Sequence, residues 1–515
     1  MTRASGEKFD SLLQPISNMG RNRIHPPRVR FASAHRRRHL TRLALIASWL
    51  VLGTACPRAD KEQTPAPTLQ AGSERETSAA TEISSKAKPA TRADACPSWA
   101  QLDRASLAPL PHSPYAPILE QVWETVRTRH YDPTLRCLDW PALRKHFGQE
   151  LAHAPNREAA YAAINAMLDR LGQSHLHAMS PARENEEVAH ATGPATLALP
   201  LVWIGDELVV RAPRPGEKRA SVAKGSRIVA IDGVKLDTLV DRKKMIEPIA
   251  RSTALAPFLT CPVDLSRRVT YRSVSGRQES KMVKCRVAAG DRLDMGHLQS
   301  MVAEVHAEML DRQHGIGYLR FSLWLLPMVA SIHQELDRLQ HSGLKALILD
   351  LRGNHGGVAT MPIPIARRFL RHGGSLGHLQ MRGFSQDLVV RANDDAFDGP
   401  LYLLIDRESA STSELFALGM RELGRATLVG SSPSAGMALP SLIEALPDGG
   451  LLQHVVGDYR STSGKIAEGD GLAPDVLVPE NPEAIAKHGD VVLARAIALA
   501  KDQVQSSQRG EPDRR

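Results

Sequence analysis

Cysteine is scarce in this sequence, and its placement excludes a zinc framework: there are five in 515 residues, and Cys96, Cys137, Cys261 and Cys285 stand at no metal-ligand spacing. Positive charge outside the N-terminus is scarce too. The net charge is +9, but residues 1–42 hold ten Lys/Arg against Glu7 and Asp10, which leaves +1 for the remainder and excludes a nucleic-acid footprint. The run Leu43 to Ala55 holds thirteen mostly apolar residues, too few to span a bilayer comfortably. Long-range repeats are absent, and no lysine occurs between Ser411 and Lys465. What is present is a globular composition, 42% apolar and 23% charged, able to bury a large core in two or three domains.

The N-terminal residues read as an address. Arg36, Arg37, Arg38 and Arg42 precede the apolar run, which suits the core of a signal peptide over residues 1–55. Leu52-Gly53-Thr54-Ala55-Cys56 resembles a bacterial lipoprotein cleavage site, with Cys56 as the lipidated residue; Gly53 departs from the larger aliphatic residue usual there. The alternative is an ordinary secretory signal with Cys56 incidental, and Met19 is a candidate start. Residues 56–97, rich in Ala, Thr, Ser, Pro, Glu and Lys, read as a disordered tether. Export permits disulfides, with Cys96–Cys137 and Cys261–Cys285 the expected pairs among three possible connectivities.

Three patterns follow. Residues 98–190 form a helical region in which Tyr161, Ile164, Leu168 and Leu171 share a face and Gly172 is the stop. Residues 191–290 hold short β-like runs, including Leu201 to Ile204 and Ser226 to Ile231, and the stretch Lys224 to Gly233 resembles the core hairpin of a PDZ domain. Such domains bind extended peptide termini at a sheet edge. Residues 291–480 alternate strands and helices, with Ala346 to Leu351 and Leu401 to Ile405 as continuous apolar strands of a sheet covered on both faces. A C-terminal helix and tail fill 481–515.

Two loops in the α/β region carry chemistry. Strand 401–405 stops at Asp406, and Ser409-Ala410-Ser411-Thr412-Ser413 opens a helix, so Ser411 sits where backbone N–H groups are unpaired and the helix dipole favours an oxyanion. On local pattern alone, Ser411-x-x-Glu414 is a capping box. The other loop, Asp350 to Gly357, ends in paired glycines that let the backbone approach a ligand closely; it lacks the lysine of a phosphate-binding loop. Taken alone it is a tight turn.

Together these segments resemble the C-terminal processing peptidases and tricorn-type serine peptidases, over roughly Pro114 to Pro479. Asp350 to Gly357 looks like the family's Asp-Leu-Arg-x-Asn-x-Gly-Gly loop, Ser409 to Glu414 like its nucleophile segment, Gly424 to Gly430 like the strand that follows, and Glu468 to Asp475 like its closing motif. The resemblance implies an α/β crotonase-like layered core, an N-terminal helical region and a small β-rich PDZ-like domain. It singles out Ser411 as nucleophile. The branch that uses a lysine base would place it about 25 residues beyond Ser411, where this chain has Gly436. The tricorn-like branch uses a His that follows a Ser, with a late Glu, and Ser174-His175 and Glu468 stand at those places.

On this assignment His175 is the general base, Glu468 orients it directly or through Ser174 or a water, and the oxyanion donors are Thr412 N–H and one of Gly356 or Gly357. His177 and His355 compete for the base. Leu176 in place of the usual Thr, and the loose match of Ser431 to Gly436, are departures. The implied function is a serine endopeptidase acting on polypeptides in the bacterial cell envelope, lipid-anchored or periplasmic, with no metal or organic cofactor. The alternatives are a catalytically inactive peptide- or ligand-binding lipoprotein of the same fold and, more remotely, an acyl-CoA enzyme.

Overall fold

A computed structural model describes residues 96–181, 195–240, 248–263, 265–287, 289–295 and 298–509; the expected signal peptide, Cys56 and nearly all of the tether lie outside them. The helical region begins with three helices, Ala116–Arg129, Trp140–Ala152 and Arg157–Leu168. Asp139 and Asn156 cap the second and third, accepting hydrogen bonds from Ala142 N–H and Ala159 N–H. A short 3-10 turn, Asp169–Leu171, ends at Gly172 in the left-handed conformation, the expected stop. Cys96 is bonded to Cys137 at the entrance to this layer, and Cys261 to Cys285 inside the β-rich part.

The layer is not sealed by its own residues. Its core joins Trp123, Trp140, Phe147, Ile164 and Leu168 to Leu439, Leu446, Leu452 and Val455, which come from a hairpin nearly 300 residues later. That hairpin, Ser441–Ala445 with Leu451–Val455, also takes the strand His177–Met179 as its third strand. The loop bearing Ser174 and His175 is thus pinned at both ends, by the helix stop before it and by this strand after it.

Residues 195–286 form a largely antiparallel sheet with Leu201–Ile204 at one edge and the helix Pro248–Leu259 packed beside it. The α/β part is built on a six-stranded sheet in the order Val305–Asp311, Ile316–Phe321, Ala346–Asp350, Leu401–Ile405, Thr427–Gly430, Val476–Leu477, parallel after the first pair. Strands 346–350 and 401–405 are buried at every residue because both faces are covered. Leu347, Leu349, Leu403 and Ile405 face the helices Val329–His341 and Thr412–Glu422, while Ile348, Tyr402 and Leu404 face the C-terminal helix Val491–Gln508.

Register then brings the two chemical loops together. Asp350 pairs with Leu404, so the turns leaving both strands emerge side by side at the carboxyl edge of the sheet, the usual place for a site in a parallel sheet. Asp350 itself is an anchor: its buried carboxylate takes Arg352 at 2.7 Å and the Tyr318 hydroxyl at 2.9 Å, and Arg352 reaches on to Asp490 at 2.7 Å. The neighbouring guanidinium groups of Arg352 and Arg214 hold the Asp350 carboxyl below the usual range.

Candidate active site

Ser411 is the residue before the 412–422 helix, half-buried, with φ 54° and ψ −119°. An N-cap residue usually has extended backbone; this one is held in a sparsely populated region at a cost of about 1–3 kcal/mol. Its N–H is shared between Met437 O at 2.8 Å and Glu414 Oε2 at 3.0 Å, the latter being the Glu414 arm of the expected capping box.

The glycine loop presses directly against it. A Cβ on Gly356, whose φ is +99°, would lie 2.7 Å from Ser411 Cβ, so only glycine permits this approach. Gly356 N–H is taken by Asn354 Oδ1 at 3.0 Å. Among the described residues Gly357 N–H and Thr412 N–H have no acceptor, while Thr412 Oγ1 donates to Gly357 O at 3.0 Å and ties the two loops together. Ser413 Oγ adds a second tie, donating to Asn354 O at 2.9 Å and accepting from the buried Trp324 indole at 2.8 Å.

The Ser174-His175 loop arrives from the helical layer. Gln173, just before it, is held by His130 Nε2 at 2.8 Å and by the Tyr131 hydroxyl at 3.1 Å, contacts with no signature in the sequence. Glu468 Oε1 accepts from Ser174 N–H at 2.8 Å, and Glu468 Oε2 accepts from the Ser174 hydroxyl at 2.9 Å. The Ser174 hydroxyl also lies 2.8 Å from His175 Nδ1. A serine has one proton to give, and a carboxylate can only accept; with that proton on Glu468, His175 Nδ1–H must donate to Ser174 Oγ. This leaves Nε2 with its lone pair free. Burial pulls the His175 pKa down to about 4, so the ring is neutral at pH 7.

One peptide group connects the two halves. The Met437 carbonyl accepts from Ser411 N–H, and the N–H of the same peptide, Ala438's, donates to Glu468 Oε2 at 2.9 Å. The segment 436–438 lies where a lysine base was excluded on sequence. Gly436 has φ +72°, and a Cβ there would stand 2.2 Å from Gly469 O, leaving no room for any side chain.

The competing histidines make no hydrogen bond with Glu468 or Ser174 among those that hold the Ser174-His175 loop. His177 is in the strand that pairs with Gln453, and His355 is exposed in the glycine loop. Among the described residues no group of His, Cys, Asp and Glu is arranged to hold a metal ion. Glu414, read in the sequence as a cap partner at the end of the nucleophile segment, also accepts hydrogen bonds from residues 434–437.

Residues 315–478 match peptidase family S41, and residues 111–169 match the tricorn protease C1 domain; Ser174 and His175 fall between the two matches. The chain is 26% identical over 370 residues to the carboxyl-terminal-processing protease of Synechocystis sp., spanning 70% of this chain and 81% of that protein. It is 25% identical over 366 residues to the chloroplastic carboxyl-terminal-processing peptidase 3 of Arabidopsis thaliana, spanning 70% and 68% of the two chains. Among solved structures it resembles in fold the photosystem II D1 C-terminal processing protease, with a TM-score of 0.50 at 20% identity over 73% of this chain and 95% of that one.

Proposed function

From a chain that belongs to the C-terminal processing peptidase family, and is therefore a serine-type peptidase acting on polypeptides, we propose an endopeptidase of the tricorn-like branch, with Ser411 as nucleophile and His175 as base. The observation that carries this reading is the Ser174 hydroxyl, which spans Glu468 and His175 Nδ1 and thereby frees Nε2. His175 Nε2 removes the Ser411 proton as Oγ attacks the scissile carbonyl. Gly357 N–H and Thr412 N–H receive the oxyanion, the first preferred over Gly356 because the latter's N–H is occupied. The imidazolium, stabilised through Ser174 by the Glu468 carboxylate, returns the proton to the leaving amine. Water then attacks the acyl-enzyme by the reverse assistance and regenerates Ser411.

The core is read as crotonase-like and the 195–286 sheet as PDZ-like. In support of the second, a cleft of about 300 Å³ runs between the edge strand 201–204 and the 248–259 helix, lined by Leu199, Leu201, Trp203, Leu255 and Leu259. An extended peptide would add to that edge as a further strand. The cleft ends at Ser252, whose hydroxyl donates to Glu408 at 2.5 Å, three residues before Ser411.

We place the protein in the bacterial cell envelope, lipid-anchored through Cys56 or periplasmic. Two disulfides suit an oxidising compartment, and among the described residues no helix is long and apolar enough to cross a membrane. The binding-only alternative is not favoured, since the family is one of processing peptidases.

The test is a fluorescent phosphonate that reacts with activated serines. The wild-type protein should label and hydrolyse polypeptide, whereas Ser411→Ala and His175→Ala should do neither. Equal labelling of the Ser411→Ala variant would sink the assignment.

A further inference from the structure

Glu414 does more than close a capping box. Its side chain is buried, with the residue 1% exposed, and the carboxylate accepts four hydrogen bonds. Oε2 takes Ser411 N–H at 3.0 Å and Met437 N–H at 3.0 Å; Oε1 takes Gly436 N–H at 2.8 Å and the Ser434 hydroxyl at 2.5 Å. A capping residue needs only the first. The other three come from the loop that follows the strand Thr427–Gly430.

That loop is also fastened to the segment carrying the proposed base-orienting carboxylate. Ser434 Oγ accepts from Leu472 N–H at 2.7 Å, Gly436 O accepts from Gly469 N–H at 2.8 Å, and the next amide along, Ala438 N–H, donates to Glu468. Glu414 and Glu468 therefore grip consecutive amides, 436 to 438, of one stretch of backbone. One carboxylate reaches it from the nucleophile's helix and the other from the base's relay.

We propose that Glu414 is a positioning residue for hydrolysis: its carboxylate clamps Ser411 onto residues 434–438 and so sets the nucleophile against the Glu468–Ser174–His175 relay. This rests on the Ser411–His175 reading. A carboxylate offers about four acceptor sites, and all four are used here, so the ionised form satisfies every donor. Protonation would turn one oxygen into a donor, which among the four partners only the Ser434 oxygen could accept, and that hydroxyl's own proton would lose its place on the carboxylate. Burial nevertheless pushes the Glu414 pKa up to about 7, opposed by its four donors. No charged side chain donates to it; the titratable groups that face the same backbone stretch are Glu468, beyond Ala438, and His175 through Ser174.

The experiment compares kcat, KM and their pH dependence on a polypeptide substrate for the wild type, Glu414→Gln and Ser434→Ala, with Ser411→Ala and His175→Ala alongside. Glutamine keeps the shape but presents donors to two of the four donors. Its kcat should fall roughly ten- to a hundredfold with KM little changed, the effect of a misplaced reacting group. The wild-type kcat should fall on acidification with a midpoint near 7, and this limb should be missing from the glutamine variant, leaving only loss toward about 4 as His175 protonates. Ser434→Ala removes one donor to the carboxylate, so it should move the limb to higher pH with a smaller loss of kcat. It serves as the deciding variant if Glu414→Gln fails to fold. A glutamine variant with wild-type kcat, or an unshifted limb in Ser434→Ala, overturns the positioning role while leaving the Ser–His reading intact. Hydrolysis retained by Ser411→Ala or His175→Ala overturns both.

Discussion

At the scale of single residues, the proposed mechanism makes the reactivity of Ser411 depend on a second hydroxyl, that of Ser174. On the proposed reading Ser174 is the fixed point of the site: with its proton on Glu468, it dictates which nitrogen of His175 is protonated. Ser174→Ala should therefore lower kcat about a hundredfold or more with KM nearly unchanged, because the ring loses its tautomer and orientation. Steady-state kinetics beside phosphonate labelling would check this, and a kcat within twofold of wild type would refute the relay. The downward shift of His175 also has a defined sign for stability. The unfolded chain binds the imidazole proton first, near pH 6.5, so stability is lost as pH falls from there toward about 4. Glu414 acts oppositely: its folded pKa is raised to about 7, so stability falls as pH rises from the unfolded carboxyl value toward that point. For catalysis the two act in the same sense: the neutral imidazole and the ionised carboxylate that the mechanism requires are both favoured as pH rises through about 7.

At the scale of elements, the active site depends on segments whose backbones come too close for side chains. Gly436 is the clearest case, and it separates two routes to an activated serine. Installing a lysine there should not create a Ser–Lys pair: the Cβ alone meets Gly469 O at 2.2 Å, so Gly436→Lys should lose activity and unfold at lower temperature. Thermal melts and kinetics would test this, and a folded, active Gly436→Lys would show the loop far more yielding than its contacts imply. The buried strands 346–350 and 401–405 and the helix after Ser411 were legible in sequence because an unbroken apolar run bounded by polar turns has few other solutions. The hairpin at 441–455 and the strands 374–381 and 384–390 were not anticipated. Their side chains alternate weakly, and each hairpin is completed by a third strand distant in sequence, 457–460 for one and 177–179 for the other. Residues 434–438 showed only as a loose motif match, because apart from the Ser434 hydroxyl their contribution is made by backbone amides, which leave no mark on side-chain pattern.

At the scale of the whole molecule, the sequence divides into regions more cleanly than the fold does. A helical region was expected at 98–190 and an α/β core at 291–480, yet Leu439, Leu446, Leu452 and Val455 complete the helical layer's own core. A composition shift marks where the chain changes character, whereas packing is settled by which apolar faces remain uncovered. The proposed address makes a separate prediction. Cells grown with a clickable palmitate analogue should show a labelled, membrane-associated protein, and Cys56→Ser should be unlabelled and soluble; an unlabelled wild type would argue for an ordinary secretory signal. The relay carries a further consequence, for the order in which the chain is made. Ser174 and the carboxylate that it joins are 294 residues apart, and Glu468 is the later of the two. On the proposed reading, a chain crossing a membrane from its N-terminus delivers the histidine early, the serine much later, and the group that orients the histidine almost last. Until that last stretch has emerged the peptidase has no oriented base, so a half-exported chain is harmless to its export machinery and to itself.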